Sequence, residues 1–336
     1  MLTEVEACDT ADVDRAVTSA RRSFESGEWR DLPPTERKQR MLAWANAIEA
    51  QLDDIALLET LETGKPIAQT TTVDVPGLIG ALRWYAESLD KLYGETAPNG
   101  ATSVCMVDRE PMGVVAAVVP WNYPLIIAGW KIGPALGAGN SLILKPAEQS
   151  SLATLKVAEL ALAAGIPAGA FQVVTGLGHQ AGKALGMHAD VDAVGFTGST
   201  DVGKAFLGCS AHSNMKRIGL ECGGKSPHIV TRDVEDLDAI AMSVAYGVWY
   251  NQGETCHAGT RLIVDRSVKD ALLTKLKEWA ETLHPGDPLD PDVQMGAMIE
   301  QAHMEKVQGY LEQGQREGAR LLFGGKQVAA RAEVTT

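Results

Sequence analysis

The sequence predicts an α/β protein built on a parallel, doubly wound sheet, with a second α/β unit after it. Three observations lead there. From Val114 onward, short apolar runs alternate with helical patterns, and continuous apolar runs of this kind are strands buried on both faces. Polar or turn-forming residues close each run, at the edge where an open parallel sheet binds its ligands. With 336 residues and 45% hydrophobic content, the chain can bury two cores.

The elements follow in order. Pro34 to Leu61 reads as one long helix, because Leu42, Ala45, Ile48, Leu52 and Ile55 recur at helical spacing and Gly64 supplies a stop. A second helix covers Val75 to Leu92. Pro98-Asn99-Gly100 is a turn, and Ser103 to Arg109 alternates weakly, as a strand outside the main sheet does. The first buried strand is Val114 to Val119, followed by a helix from Leu125 to Leu136. Strand Ser141 to Leu144 leads to helix Ser151 to Ala164, strand Phe171 to Val174 to helix Gln180 to Met187, and strand Val191 to Phe196 to helix Asp201 to Leu207. Lys216 to Leu220 is the last strand of this set. The second unit begins near Gly223-Gly224. It contains strand His228 to Val230, helix Leu237 to Trp249, strand Thr260 to Val264, and helices Val268 to Leu283 and Gln301 to Gln313 around a loop at Pro285 to Pro291. The tail from Val328 to Thr336 completes no unit, and we read the chain as truncated.

The formal charge of -13, with no basic cluster, argues against nucleic acid and anionic membranes as partners. No apolar run approaches the length of a bilayer span, and Met1 to Glu6 lacks the basic and apolar segments of a signal peptide. The five cysteines, Cys8, Cys105, Cys209, Cys222 and Cys256, are odd in number and widely spaced. That favours a reducing compartment, the cytoplasm, over a disulfide framework. No Cys-x-x-Cys or His-x-x-x-His spacing supports a metal site.

Several loops carry chemistry. Cys256, in Tyr250-Asn251-Gln252-Gly253-Glu254-Thr255-Cys256, lies between a hydrophobic helix and a short apolar strand. Its thiolate is a strong nucleophile; a buried inert thiol is the plain alternative. Glu221 ends the last strand of the first set and is a candidate base, or else a cap or ion-pair member. Glu254 and His257 flank the thiol and either tune its field or stay exposed; the neighbouring position of His257 need not face the sulfur. Asn122, in Pro120-Trp121-Asn122-Tyr123-Pro124, has an amide suited to a developing oxyanion, although an isolated Asn more often satisfies loop carbonyls. Trp121 forms a pocket wall or closes a core. Lys145 and Glu148 follow a strand and fit ribose hydroxyls, or form an ordinary charged pair. A carboxylate there disfavours the extra ribose phosphate of NADP, while Lys145 is available to neutralise it. Phe196-Thr197-Gly198-Ser199-Thr200 joins a strand to a helix, and Ser199 caps that helix, contacts a pyrophosphate, or does both. Gly176-Leu177-Gly178-His179-Gln180-Ala181-Gly182 departs from Gly-x-Gly-x-x-Gly, so by itself it reads as a tight turn.

Taken together and in this order, the motifs resemble those of the aldehyde dehydrogenase superfamily. The matching pieces are Pro120 to Pro124, Lys145-Pro146-Ala147-Glu148, Phe196 to Thr200, Glu221-Cys222-Gly223-Gly224-Lys225-Ser226-Pro227 and Asn251 to Cys256. Arg109 to Val115 and Asn251 to Cys256 look most like the γ-glutamyl-γ-aminobutyraldehyde and related aminoaldehyde dehydrogenases. The resemblance implies a parallel-sheet, Rossmann-type cofactor domain at 1–222, with 94–111 as an excursion towards an oligomerisation element. An incomplete α/β catalytic domain at 223–336 follows. It implies Cys256 as nucleophile, Glu221 as general base, and Asn122 with the Cys256 N–H as oxyanion donors. Lys145 and Glu148 then bind the adenosine ribose, and the Phe196–Gly198–Ser199 turn approaches the pyrophosphate. Gly178 leaves room for the cofactor, Gly223 keeps the cleft open, and Trp121 lines the passage.

The reaction implied is oxidation of a small-molecule aldehyde, an aminoaldehyde in particular, to a carboxylic acid through a thiohemiacetal and a thioester on Cys256. NAD is the expected cofactor and NADP stays open. The resemblance also implies a homodimer or homotetramer for the intact protein. Cys222 stands where the family has a leucine-like residue, as a small packing residue or as a disulfide partner of Cys256. The chain stops before the family's later glutamate–phenylalanine region. Two rival functions remain: a CoA-acylating aldehyde dehydrogenase, which Glu221 disfavours by supplying a base for water, and an inactive binding or assembly protein.

Overall fold

A five-stranded sheet organises the first half of the computed structural model, which describes residues 2–328. The sequence-expected tail is, but for Val328, outside those residues. The chain opens with α1 (Thr10–Ser26), α2 (Pro34–Glu49), α3 (Leu52–Thr63), the single turn α4 (Ile67–Gln69) and α5 (Val75–Ser88). A small antiparallel hairpin follows, β1 (Glu95–Ala97) and β2 (Cys105–Val107). The sheet is then built by β3 (Val114–Val118), β4 (Ser141–Lys145), β5 (Phe171–Val173), β6 (Ala193–Gly198) and β7 (Arg217–Cys222). Its helical connections are α6 (Pro124–Gly137), α7 (Leu152–Ala163), α8 (Lys183–Met187) and α9 (Thr200–Ala211). Strand order is β5-β4-β3-β6-β7, and β3 pairs parallel to both β4 and β6. The remaining elements are β8 (Pro227–Val230), α10 (Leu237–Trp249), β9 (Arg261–Val264), α11 (Arg266–Thr282) and α12 (Gln301–Arg316).

Contacts divide the chain into two units. The first is Met1–Leu58 with Thr71–Glu221; the second is Glu59–Thr70 with Cys222–Thr336. The core of the first unit joins α1 to the sheet. Val13, Val17 and Ala20 pack on Val114, Ala116, Ile143 and Val194, and each fully buried valine or isoleucine side chain contributes about 1.5–3 kcal/mol. Two buried indoles each make a hydrogen bond to a helix carbonyl: Trp29 Nε1 donates to that of Leu136 on α6 and Trp44 Nε1 to that of Val157 on α7, both at 2.9 Å. The Trp44 ring also meets Phe171 of β5 at 5.1 Å between centroids.

The second unit pairs β8 with β9 in parallel, Pro227 opposite Arg261 through Val230 opposite Val264. Its core is Val230, Ala241, Val244, Ala245, Leu272 and Leu276, from β8, α10 and α11. Glu59–Thr70 belongs here although it precedes the sheet in sequence. Ile67 N–H donates to the Pro288 carbonyl at 2.7 Å and Ala297 N–H to that of Gly64 at 3.2 Å. A division drawn at residue 222 alone places this segment in the other unit, because sequence order cannot reveal such backbone bonds.

Three local expectations need correction. The helix read from Pro34 to Leu61 is two helices, broken at Ala50–Gln51, and Gly64 at φ 76 ends the second. Before Lys183 the chain winds as a π-helix over Gly178–Gly182, so the glycine turn is itself wound. Helix α1 was not expected at all. Its signals are local: Asp9 and Asp12 form a reciprocal capping box, and Val13, Val17 and Ala20 share one buried face.

Candidate active site

The carboxyl edge of the five-stranded sheet gathers most of the chemistry-bearing residues of the first unit. Val118 is in register with Lys145 of β4 and with Phe196 of β6. The chain winds from β3 to β4 and β5 on one side, then returns to lay β6 and β7 on the other. The switch point is therefore between β3 and β6, the place where open sheets of this kind bind their ligands. Trp121 and Asn122, both half-buried, leave β3 in a short loop closed by Pro124 at the start of α6. Gly198 and Ser199 leave β6.

Lys145 is 1% exposed. Its Nζ donates to the Pro146 carbonyl at 2.9 Å and lies 3.5 Å from Glu148 Oε2. Burial pulls the ammonium below its ordinary pKa, and the Glu148 carboxylate opposes that. Glu148 itself is 42% exposed and faces solvent. A buried cation beside an accessible carboxylate is a donor–acceptor pair suited to adjacent hydroxyls. Ser199 caps α9, its Oγ accepting the Val202 N–H at 3.4 Å, and remains exposed. The Phe196 ring is 4% exposed and packs against Phe206 at 5.1 Å; it anchors the turn from the core side. Beyond β5, Gly176 sits at φ 112 with Cys8 close behind it, whereas a methyl group on Gly178 meets no atom within 4 Å. The open side of this glycine turn is at Gly178, while a Cβ built on Gly182 lies 3.7 Å from the Lys145 Cδ.

Glu221 lies exposed near the end of β7. Lys131, on α6, is its charged neighbour: burial lowers the lysine's pKa and the Glu221 charge opposes that. Sequence reading passed over Lys131, since nothing about a lone lysine in an apolar helix announces a partner on a distant strand.

In the second unit, Cys256 follows a short 3₁₀ turn, Tyr250–Gly253, and is exposed. Asn251 and Gln252 have φ of 51° and 56° and Gly253 has 79°, so three successive residues wind left-handed before the thiol. Gly224 N–H donates to the Cys256 carbonyl at 3.1 Å, which ties the Gly223-Gly224 stretch to the backbone of Cys256. Cys222 and Cys256 are both free thiols. The His257 Nδ1 lies 3.8 Å from Cys256 Sγ, so the neighbouring ring does face the sulfur. Glu254, expected either to tune the field or to stay exposed, is 8% exposed. Burial raises its carboxyl pKa to about 7, against the lowering effect of the Ile299 N–H and of the Lys65 charge. No sequence signal distinguished it from His257; only the segments packed behind it do. Among the described residues no three His, Cys, Asp or Glu side chains converge as a metal site, and no helix is long and apolar enough to cross a membrane.

Comparison with known proteins decides the family. The family model for the aldehyde dehydrogenase family matches residues 1–335. The chain belongs to the aldehyde dehydrogenase family. Among aldehyde dehydrogenases, it is similar to aminoacetaldehyde dehydrogenase of Pseudomonas aeruginosa, with 51% identity over 97% of this chain and 66% of the relative. It is also similar to the NADP/NAD-dependent aldehyde dehydrogenase PuuC of Escherichia coli, with 48% identity over 96% of this chain and 65% of that protein. Among solved aldehyde dehydrogenases, γ-glutamyl-γ-aminobutyraldehyde dehydrogenase from Burkholderia cenocepacia superposes with a TM-score of 0.96 at 52% identity, over 98% of this chain and 66% of that one. An indole-3-acetaldehyde dehydrogenase solved with NAD+ gives 0.95 at 50%, over 97% of this chain and 66% of that one. The chain thus spans about two thirds of the length of the curated relatives it matches.

Proposed function

We propose that the protein oxidises an aldehyde of the aminoaldehyde class to a carboxylic acid, with NAD as hydride acceptor. The observation that carries this reading is the exposed Cys256 thiol on a turn fixed from several sides, in a family member whose relatives at about half identity are named for aminoacetaldehyde and γ-glutamyl-γ-aminobutyraldehyde. Cys256 attacks the carbonyl carbon, forming a C–S bond and an oxyanion. The Asn122 amide and the Cys256 N–H donate to that oxygen as its charge develops. Bound nicotinamide supplies the hydride acceptor. The thioester left on Cys256 is then hydrolysed by a water from which Glu221 takes a proton, and the acid departs. The exposure of Glu221 near the end of β7 supports that role. His257, 3.8 Å from the sulfur, is a second reading for the group that first takes the thiol proton.

The residues present fit NAD. Lys145 and Glu148 hold the adenosine ribose, Ser199 and the α9 N-terminus meet the pyrophosphate, and open space beside Gly178 admits the cofactor. Gly198 allows the turn after Phe196, Gly223 leaves the cleft clear, and Trp121 lines the passage. Glu148 repels a ribose phosphate, while Lys145 beside it partly offsets that charge, so NAD is preferred and NADP accepted. The exposed hairpin β1–β2, with Met106 78% exposed, serves oligomer assembly into a dimer or tetramer. Five free thiols and the charge suit the cytoplasm.

The test is incubation with aminoacetaldehyde or 3-aminopropionaldehyde and NAD, following reduced cofactor by absorbance and acid by mass spectrometry. Equal amounts of both are expected. A parallel reaction with CoA distinguishes a thioester product. Cofactor binding with no acylation of Cys256 identifies a binding protein, and absence of acid across a broad aldehyde series removes the proposal.

A further inference from the structure

The turn carrying Cys256 is gripped from behind by two side chains that the reaction leaves unused. Gln252 Nε2 donates to the Ala297 carbonyl at 3.4 Å, and its Oε1 accepts the Gly296 N–H at 3.3 Å. Two residues on, Glu254 Oε1 accepts the Ile299 N–H at 3.2 Å. The 296–299 segment is itself fixed, because Ala297 N–H donates to the Gly64 carbonyl. A Cβ at Gly296 would fall 1.8 Å from that same oxygen, so the two backbones are in direct contact. The turn depends on this support. A residue other than glycine pays about 1–2 kcal/mol to wind left-handed, and Asn251 and Gln252 both do so.

Glu254 is the buried member of the pair. Lys65, itself buried, brings a positive charge from the connection between α3 and α4. His303 of α12 approaches with Nε2 3.7 Å from Oε1. That separation is too long for a hydrogen bond, and burial and Lys306 hold the imidazole below its ordinary pKa, so it adds little charge at neutral pH. The Glu254 carboxylate thus accepts the Ile299 N–H two residues from the nucleophile.

We propose that Glu254 is a positioning residue for Cys256: its carboxyl group ties the nucleophile's turn to the 296–299 segment and so sets where the sulfur meets a carbonyl carbon. The inference rests on the reading of Cys256 as nucleophile and goes beyond it by naming what holds the thiol in place. The amide of Gln at this position keeps the acceptor for Ile299, whereas Ala removes it.

The test uses 4-nitrophenyl acetate on the whole chain, without cofactor. The Cys256 thiolate attacks the ester carbonyl, a C–S bond forms, the C–O bond breaks and 4-nitrophenolate leaves with the electron pair; the thiol proton goes to solvent. Acylation is followed as nitrophenolate release and as added mass on the Cys256 peptide. Misplacing a reacting atom by about 1 Å costs on the order of 10²-fold, so Glu254→Ala is expected to slow acylation at least about tenfold. Glu254→Gln should stay within about threefold of the parent. Iodoacetamide labelling of exposed Cys105 and buried Cys209 is expected to be unchanged, which a global loss of structure would not allow. Acylation of Glu254→Ala at the parental rate overturns the inference, as does an equal loss in Glu254→Gln. Should Cys209 become reactive in Glu254→Ala, Glu254→Asp takes its place: slower acylation supports the inference and a parental rate overturns it. A parent protein that is not acylated at Cys256 removes the nucleophile reading and this inference together, whereas a reactive parent with an indifferent Glu254 removes only the inference.

Discussion

Replacing Glu254 by Gln should change how stability depends on pH. The folded-state carboxyl titrates at about 7 against an ordinary 4.5, chiefly because burial disfavours the anion. Between those values the folded chain holds a proton that the unfolded chain has released, so stability falls as pH rises through this window. The contribution is fully present below 4.5 and lost once pH passes 7. The gap corresponds to about 3 kcal/mol. Gln cannot ionise, so Glu254→Gln lacks this slope, and its stability relative to the parent should rise by about 3 kcal/mol from pH 4.5 to pH 8.5. Urea unfolding of both proteins by tryptophan fluorescence, at half-unit pH steps, measures the difference directly. Two profiles that stay parallel within about 0.5 kcal/mol would show that the carboxyl is not desolvated as its surroundings indicate.

Three further outcomes are expected. Asn122→Ala should lower kcat for aldehyde oxidation by about 10²–10³-fold, with NAD affinity unchanged in calorimetry; equal losses in kcat and cofactor affinity would assign Asn122 to the wrong ligand. Lys145→Ala removes a charged donor worth about 1.5–3 kcal/mol, so NAD should bind about tenfold to a hundredfold more weakly; an unchanged dissociation constant contradicts the ribose contact. Gly176→Ala forces a Cβ to 2.9 Å from the Cys8 nitrogen at a φ of 112° and should destabilise the chain by about 1–3 kcal/mol in chemical denaturation, without altering Cys256 labelling.

The strands of the first unit were legible because burial on both faces writes itself as apolar runs: Val114 to Val118 and Ser141 to Lys145 are almost wholly enclosed. The loops leaving them were legible for the same reason, since strand ends fix where a ligand edge must be. Less could be read where structure depends on contacts distant in sequence. The apolar spacing from Leu42 to Ile55 runs straight through the break at Ala50–Gln51, which neither glycine nor proline marks. Glu59–Thr70 gave no sign that it belongs with Pro288 and Ala297. Nor could Glu254 be told from His257 as flanks of one cysteine. The first turns inward to the Ile299 N–H and the second stays in solvent, a difference set by a backbone segment more than forty residues later.

The position of β3 has a consequence for how the protein is made. Its neighbour β4 follows at once, but its other neighbour, β6, pairs Ala193 with Val115. At a synthesis rate of about 5–20 residues per second, the middle strand waits roughly 4–16 s on the ribosome with one side unpaired. Val114, Ala116 and Val118 meanwhile have only part of the enclosure they reach in the finished sheet, which makes that interval the one in which a nascent chain most needs protection from its neighbours.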